Sequence, residues 1–440
     1  MRFVAHIRRK PVHTKTDYPL KVNLNTTTEP PRDPYAALRF QDFRLLLVGR
    51  FVATLGNQML SVAIGWELWL RTHNAFALGL IGLVQVAPVL LLSLPAGHVA
   101  DQYNRRRIVL IAQPLLALCS LSLAALSYTR GPLVLIYVCL LGIGIARSFN
   151  EPASSTLLPQ TIPPEIFTSA ATWNSSSWQL ASIIGPALAG LIVALLNSVT
   201  IIYVLDAVAG LTFLVLVSLI KGRQLALSRK AATLESLGEG LRFVRSTKVI
   251  LAAITLDMFA VLLGGAVTLL PVYATDILKV GPVGLGLMRA APSVGALIVA
   301  FSIAHLPAFK NAGRTLLLAV SGFGLATIIF GLSTTFWLSL LMLLLLGGLD
   351  NISVVIRATL ILTRTPDDMR GRISSVNSIF IGASNELGGF ESGLTAALFG
   401  PILSVVAGGI GTILVVLAIA RIWPEMRQLK TLDVPEESIV

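Results

Sequence analysis

The chain has 440 residues, of which 55% are hydrophobic and only 13% charged. Soluble domains carry about a quarter charged residues, so the composition excludes an ordinary water-soluble enzyme or scaffold. The net charge of +12 would suit a nucleic-acid binder, but the placement of the basic residues follows a membrane topology instead.

The first 44 residues are polar, include Pro30, Pro31 and Pro34, and lack the apolar core of a secretory signal. They are expected to form a disordered cytoplasmic tail. A bilayer core of ~30 Å takes about 20 apolar helical residues to cross, and such stretches then recur. They fall at 45–70, 77–100, 108–128, 133–158, 167–196, 199–220, 248–276, 284–307, 314–333, 335–362, 371–398 and 400–422. The fold class expected is an all-α membrane protein of about 12 transmembrane helices. Lys and Arg gather on alternate connections: the N-terminal tail, Arg105–Arg107, Lys221–Lys248, Lys310 and Arg314, Arg364–Arg372 and the tail after Arg421. The opposite connections carry little beyond Arg71, Arg130 and Lys279. Positive charge marks the cytoplasmic side, so both termini are expected there. In the central linker Leu234, Leu237, Leu241 and Val244 recur at helical spacing opposite charges, which predicts a surface-lying amphipathic helix.

The linker divides the chain into a bundle over 45–220, a connection over 221–247, a second bundle over 248–422 and a tail over 423–440. The halves resemble each other at a shift of 203 residues. Asn174 then meets Asn377, Gly144 meets Gly347, Pro163 meets Pro366, and Glu165 meets Asp368. Ser175 meets Ser378, Gly185 meets Gly388, and Gly190 meets Gly393. Duplicated bundles with a site between them are how many secondary transporters alternate access.

Between spans two and three lies Gly97-His-Val-Ala-Asp101-Gln102-Tyr-Asn104-Arg105-Arg106-Arg107. It resembles the cytoplasmic loop of the major facilitator superfamily, Gly-x-x-x-Asp-Arg-x-Gly-Arg-Arg, with Gln102 and Asn104 departing from the pattern. The resemblance implies a gating role for Gly97, Asp101, Arg105, Arg106 and Arg107. The corresponding second-half loop, with Lys310, Gly313 and Arg314, has lost the acid. Span five contains Gly185-Pro186-Ala-Leu-Ala189-Gly190. Small residues allow close helix packing and Pro bends the helix, so a generic kinked helix would also account for it. It resembles the superfamily's antiporter motif, with Ala181 and Ala189 where the motif has Gly, and this implies export in exchange for protons. Three further stretches are similar to the exporter branch of siderophore (enterobactin-type) and macrolide-efflux proteins. They are Arg147-Ser-Phe-Asn-Glu151-Pro152, Phe43-Arg44 at the start of span one, and Gly281-Pro282-Val-Gly284-Leu-Gly286.

Charges embedded in spans cost at least ~2.5 kcal/mol at the helix centre, so each needs a reason. Span one carries Arg50, Thr54, Asn57, Gln58 and Ser61 on one face, a stripe suited to line a central cavity. Arg147 and Glu151 of span four are one turn apart and are expected to neutralise each other. Asp350 and Arg357 of span ten invite the same reading. Asp257 lies nine residues into span seven, roughly 13 Å deep, with no partner in its own helix. A buried carboxylate is harder to ionise, so Asp257 is the leading candidate for proton coupling. Asp350, Glu386 and Glu391 compete with it. Asn174, Asn377 and Ser384 are further expected cavity-lining residues.

No phosphate loop, His-Glu-x-x-His or nucleophile elbow occurs, so no ATPase or other enzyme is expected. The five histidines are scattered, and Cys119 and Cys139 read as packing residues. No metal or cofactor is implied. The partners expected are a small-molecule substrate, protons and the lipid bilayer, with no nucleic acid and a monomeric chain. The reading is a proton-coupled exporter of small amphipathic molecules in a bacterial cytoplasmic membrane. A proton-coupled importer, a membrane sensor or scaffold and an intramembrane enzyme compete with it.

Overall fold

In a bilayer every backbone N–H and C=O must be satisfied within its own segment, which leaves a helix for each apolar stretch. A computed structural model describes residues 33–221, 234–306, 310–366 and 369–430 of the chain. Its long helices are α1 (Gln41–Thr72), α2 (Ala75–Gln102), α3 (Arg105–Tyr128), α4 (Leu133–Ser155), α5 (Phe167–Leu196) and α6 (Thr200–Leu219). Then follow α7 (Lys248–Leu263), α8 (Gly281–His305), α9 (Ala312–Leu332), α10 (Phe336–Arg364), α11 (Arg370–Phe399) and α12 (Pro401–Ile422). No strand occurs among the described residues.

Local chemistry sets the helix ends. Asn74 caps α2 by accepting the N–H of Phe76 at 2.9 Å. Asn104, which departs from the superfamily pattern, caps α3 through the N–H groups of Arg106 (3.0 Å) and Arg107 (3.4 Å). One residue, Gly400 at φ +90°, turns α11 into α12, and L side chains rarely adopt that conformation.

The predicted span 248–276 is not one straight helix. After Leu263 it breaks at Gly264–Gly265 and continues as a 3-10 turn (Ala266–Leu269), a short helix (Leu270–Val272) and a π turn (Tyr273–Ile277). Gly265 is pressed against Gly388 O of α11 and Gly264 against the ring of Phe323, so a side chain at either site would collide. Among the described residues, eleven helical segments are long and apolar enough to cross a membrane. The remaining long helix is α11, which carries Arg370, Arg372, Asn385, Glu386 and Glu391. It packs against α2, α7 and α12, and this cover lets a polar helix occupy the predicted span 371–398.

Within the first half α1 packs on α5 and α6, α2 on α4, and α3 on α4 and α6. Within the second half α8 packs on α10, α9 on α10 and α12, and α7 on α11 and α12. Two seams join the halves, α2 with α11 and α5 with α8. The glycines repeated in sequence make equivalent contacts. Gly185 of α5 abuts Gln58 of α1, and Gly388 of α11 abuts Val261 of α7. Gly190 of α5 meets Gly286 of α8, and Gly393 of α11 meets Gly79 of α2. In each pair a Cβ would overlap the opposing backbone, so these seams depend on glycine.

The two ends of the molecule differ. Away from the termini, one buried apolar cluster draws on both halves, including Met59, Leu123 and Ile143 with Leu269, Tyr273, Leu285 and Phe330. Toward the termini, the apolar clusters each belong to a single half: Phe43, Leu46, Val109 and Phe213 in one; Leu256, Leu316 and Leu360 or Ile250, Val244 and Ile373 in the other. A Cβ added at Gly97 of α2, or at Gly371 or Gly382 of α11, would meet nothing within 4 Å. The halves are therefore sealed at the far end and parted at the end bearing the termini.

The linker helix spans Leu234–Ser246. Val244 is buried and Leu241 exposed, Gly240 touches Arg372 O of α11, and Glu239 pairs with Arg372 at 2.5 Å. The helix thus leans on the second half. The side chains of Leu234 and Leu237 lie outside the described residues, as do residues 1–32 of the predicted tail, Asp368 of the repeat and residues 431–440. After α12 a short helix, Pro424–Gln428, docks under α9. Ala312 N and Gly313 N donate to Lys430 O and Leu429 O, both at 3.1 Å.

Candidate functional site

The parted end leads to a cavity of about 640 Å³ lined by α1, α3, α4, α5 and α6. Arg50, Thr54 and Asn57 of α1 form one wall, and Arg147, Glu151 and Asn174 face the same space. A second cavity of about 270 Å³ lies beyond it, between the halves, and shares Asn57, Leu60, Ile143 and Arg147 with the first. Gln58 and Ser61 line this deeper space with Arg289 of α8 and Glu386 of α11. The α1 stripe therefore runs from the mouth to the seal.

Hydrogen bonds hold these polar walls. Arg50 donates to Asn174 Oδ1 at 2.8 Å and to Ser154. Gln58 donates to Ser182 Oγ at 2.7 Å. Arg289 donates to Ser61 Oγ at 2.6 Å and to Val267 O at 3.1 Å, tying α8 to α1 and to the broken continuation of α7. Gln179 of α5 reaches Ser293 O of α8 at 2.5 Å.

Several expectations need correction. Arg147 does not pair with Glu151; it donates to Gln85 Oε1 at 2.9 Å and to Asn57, while Glu151 is exposed. An i,i+4 pair along a helix is worth only a few tenths of a kcal/mol, and acceptors on two neighbouring helices displace it. Nor does Arg357 pair with Asp350. It crosses from α10 to α7 and forms a buried ion pair with Asp257, so Asp257 has a partner that its own helix could not reveal. Asp350 lies in the same small cleft as Asp257, lined also by Ser353 and Phe323. Asn377 and Ser384 are not among the described lining residues of either cavity. The Ser384 hydroxyl is spent on Phe380 O of its own helix at 2.7 Å, and Asn377 Oδ1 is buried without a partner. Glu391 also lies outside both cavities, beside Ser392.

At the mouth, Arg106 donates to Val217 O at 3.1 Å and to Ser218 O, closing off the end of α6. Arg105 reaches Ala100 O at 3.5 Å, and Arg107 is exposed. The Asp101 side chain lies outside the described residues. Pro186 O abuts Gly286, so Gly185, Pro186 and Gly190 together place α5 against both α1 and α8.

Sequence reading missed Gln85, Gln113, Ser154, Trp178 and Gln179, which line one cavity or the other. Gln85 and Gln113 interrupt apolar spans, and a polar side chain inside a span is itself a signal. Ser154 and Trp178 carry no such signal, because a helix end and an interfacial aromatic explain them equally well.

Two related helical bundles joined by glycine seams, with a polar cavity in the first and a smaller one between the two, define a secondary transporter. The chain belongs to the transmembrane secretion effector family, whose family model matches residues 32–438. It is 26% identical over 391 residues to proteins described as Enterobactin exporter EntS, from Escherichia coli O1:K1 / APEC and from Citrobacter koseri. The match covers 88% of this chain and 93% of theirs. The fold is shared with a bacterial homolog of the human lysosomal transporter Spinster, solved inward-facing and unoccupied. That match has a TM-score of 0.68 at 12% identity and covers 88% of this chain and 98% of that one. The nucleoside transporter NupG matches with a TM-score of 0.68 at 12% identity, covering 87% and 99%. The resemblance to the major facilitator superfamily and its siderophore-exporter branch therefore holds.

Proposed function

We propose that this chain is a proton-coupled exporter of small amphipathic molecules, working by alternating access as a monomer in a bacterial cytoplasmic membrane. Both termini and the loop at Arg105–Arg107 would face the cytoplasm, as the distribution of basic residues favours. The observation that carries the reading is the cavity of about 640 Å³ reached from the end bearing the termini, with the far end sealed by Gly190–Gly286 and Gly79–Gly393. With that end cytoplasmic, this is the loading state of an exporter. The direction also draws support from relatives described as enterobactin exporters and from the Gly185-Pro186 stretch of α5.

For the proton, the buried cluster of Asp257, Arg357 and Asp350 is the preferred site. Protonating Asp257 would remove half of its ion pair with Arg357 and loosen α7 from α10. Glu386, which shares the deeper cavity with Arg147 and Arg289, is the second choice. Glu391, outside both cavities, is the weakest. Coupling requires that the two conformers differ in proton affinity; tight proton binding alone moves nothing.

Dye efflux from energised cells tests the reading. Efflux should collapse on addition of an uncoupler and should be lost in Asp257→Asn. Efflux that survives the uncoupler overturns proton coupling, and accumulation instead of efflux overturns the direction. Wild-type-like efflux by Asp257→Asn moves the proton site to Glu386.

A further inference from the structure

The chain supplies carboxylates to its arginines selectively. Arg71 has Glu67 at 2.7 Å, Arg357 has Asp257, and Arg372 has Glu239 at 2.5 Å. Among the described residues the two arginines of the large cavity have none: Arg50 donates to Asn174 and Ser154, and Arg147 to Gln85 and Asn57, all neutral acceptors. Two carboxylates line the same cavity and Glu386 shares the deeper one with Arg147, yet among the described residues none of the three forms an ion pair with either arginine. Asp206 is held by the Ser120 hydroxyl at 2.6 Å, and Glu151 is exposed.

A guanidinium withdrawn from water is costly without an anion, and it has five N–H donors arranged to fit a carboxylate or phosphate fork. The second half shows the completed version of the same place. The repeat that pairs Asn174 with Asn377 sets Ser154 of α4 opposite Arg357 of α10. There the α7–α10 crossing is closed by an internal ion pair. In the first half the α1–α4 crossing carries the cation and leaves the anion out. Trp178, 55% exposed on the cavity wall, adds an aromatic face on which a ring can stack.

We propose that the first-half cavity is an acid-recognition site, and that the transported molecule is a small amphipathic acid. Its anionic group docks on Arg50 and Arg147 and its ring lies toward Trp178. This names the substrate class of the transporter reading above and rests on it for meaning, but binding needs no gradient and can be measured apart from transport.

The test uses the full-length protein in nanodiscs of zwitterionic phosphatidylcholine, with calorimetric titration of 2-naphthoate and its uncharged counterpart 2-naphthamide. A hydrogen bond to a charged group changes affinity by about tenfold or more. The acid should therefore bind at least about tenfold more tightly than the amide. Arg50→Gln and Arg147→Gln should each remove most of that preference. Arg50→Lys, which keeps the charge, should retain the preference and guards against a glutamine variant that fails to fold. Equal affinity for acid and amide, absence of acid binding, or a preference intact in both glutamine variants would overturn the proposal. An acid preference without uncoupler-sensitive efflux would sink the coupling reading alone; coupled efflux without an acid preference would sink this one alone.

Discussion

Where α4 carries Arg147, α10 carries Asp350; where α4 offers Ser154, α10 offers Arg357. The scaffold is common to both halves, down to the glycines that seat α5 on α1 and α11 on α7. The charges on that scaffold are inverted. In the first half arginines face an open cavity and hold neutral partners; in the second an acid and an arginine close on each other and leave a cleft of only about 10 Å³. The packing of the two bundles is thus shared, while the polar positions differ: one half keeps arginines on an open cavity and the other pairs its charges internally. Pairwise contacts between helices fix the architecture. Which polar side chain stands at each crossing fixes what the half can bind.

That contrast can be broken first in the second half. Arg357→Met leaves Asp257 buried and unpaired, and breaking such a pair costs about 3–5 kcal/mol. Melting in detergent should show a large loss of stability, and the double variant Asp257→Leu with Arg357→Met should recover most of it. A single variant as stable as wild type would mean that the second half is not held by its ion pair.

A smaller effect is expected at the seams. Gly393→Val would force apart α11 and α2 at Gly79, with overpacking costing about 1–3 kcal/mol. The far-end seal would open, so a cysteine introduced at Thr268, which lines the deeper cavity, should label faster from the side away from the termini. Unchanged labelling would show that the seam is not the seal. Smaller again, Asn174→Leu removes one of the neutral partners of Arg50 and should cost about 1 kcal/mol in the same melting assay. A loss as large as that of Arg357→Met would erase the distinction between the halves. Least of all, Glu239→Gln breaks the exposed pair with Arg372, for which about 0.2–1 kcal/mol is typical. Its effect should fade in high salt.

The fold was largely legible before any coordinates. Hydrophobic length located the spans to within a few residues, because a bilayer imposes helix length directly, and the repeat marked the glycines that join the halves. The break in the seventh span was harder to see, since Gly264 and Gly265 read as ordinary small residues until Phe323 and Gly388 crowd them. The candidate site was half legible. The α1 stripe could be drawn from helical periodicity alone, but the partners of its charges could not. Arg147 and Arg357 each have a tempting neighbour on their own helix, Glu151 and Asp350, and each turns to another helix instead.

By itself, then, the sequence determined that this is a duplicated bundle of membrane-crossing helices with a basic side and polar faces. Those properties follow from composition and period, which act along one chain segment at a time. Only the tertiary structure decided which end is sealed, that Asp257 is held by Arg357, and that Arg50 and Arg147 donate to neutral partners on other helices. The reason is physical: a hydrogen bond or ion pair needs its partner within about 3–4 Å, and for a side chain inside a helical bundle that partner comes from a different helix, dozens to hundreds of residues away along the chain.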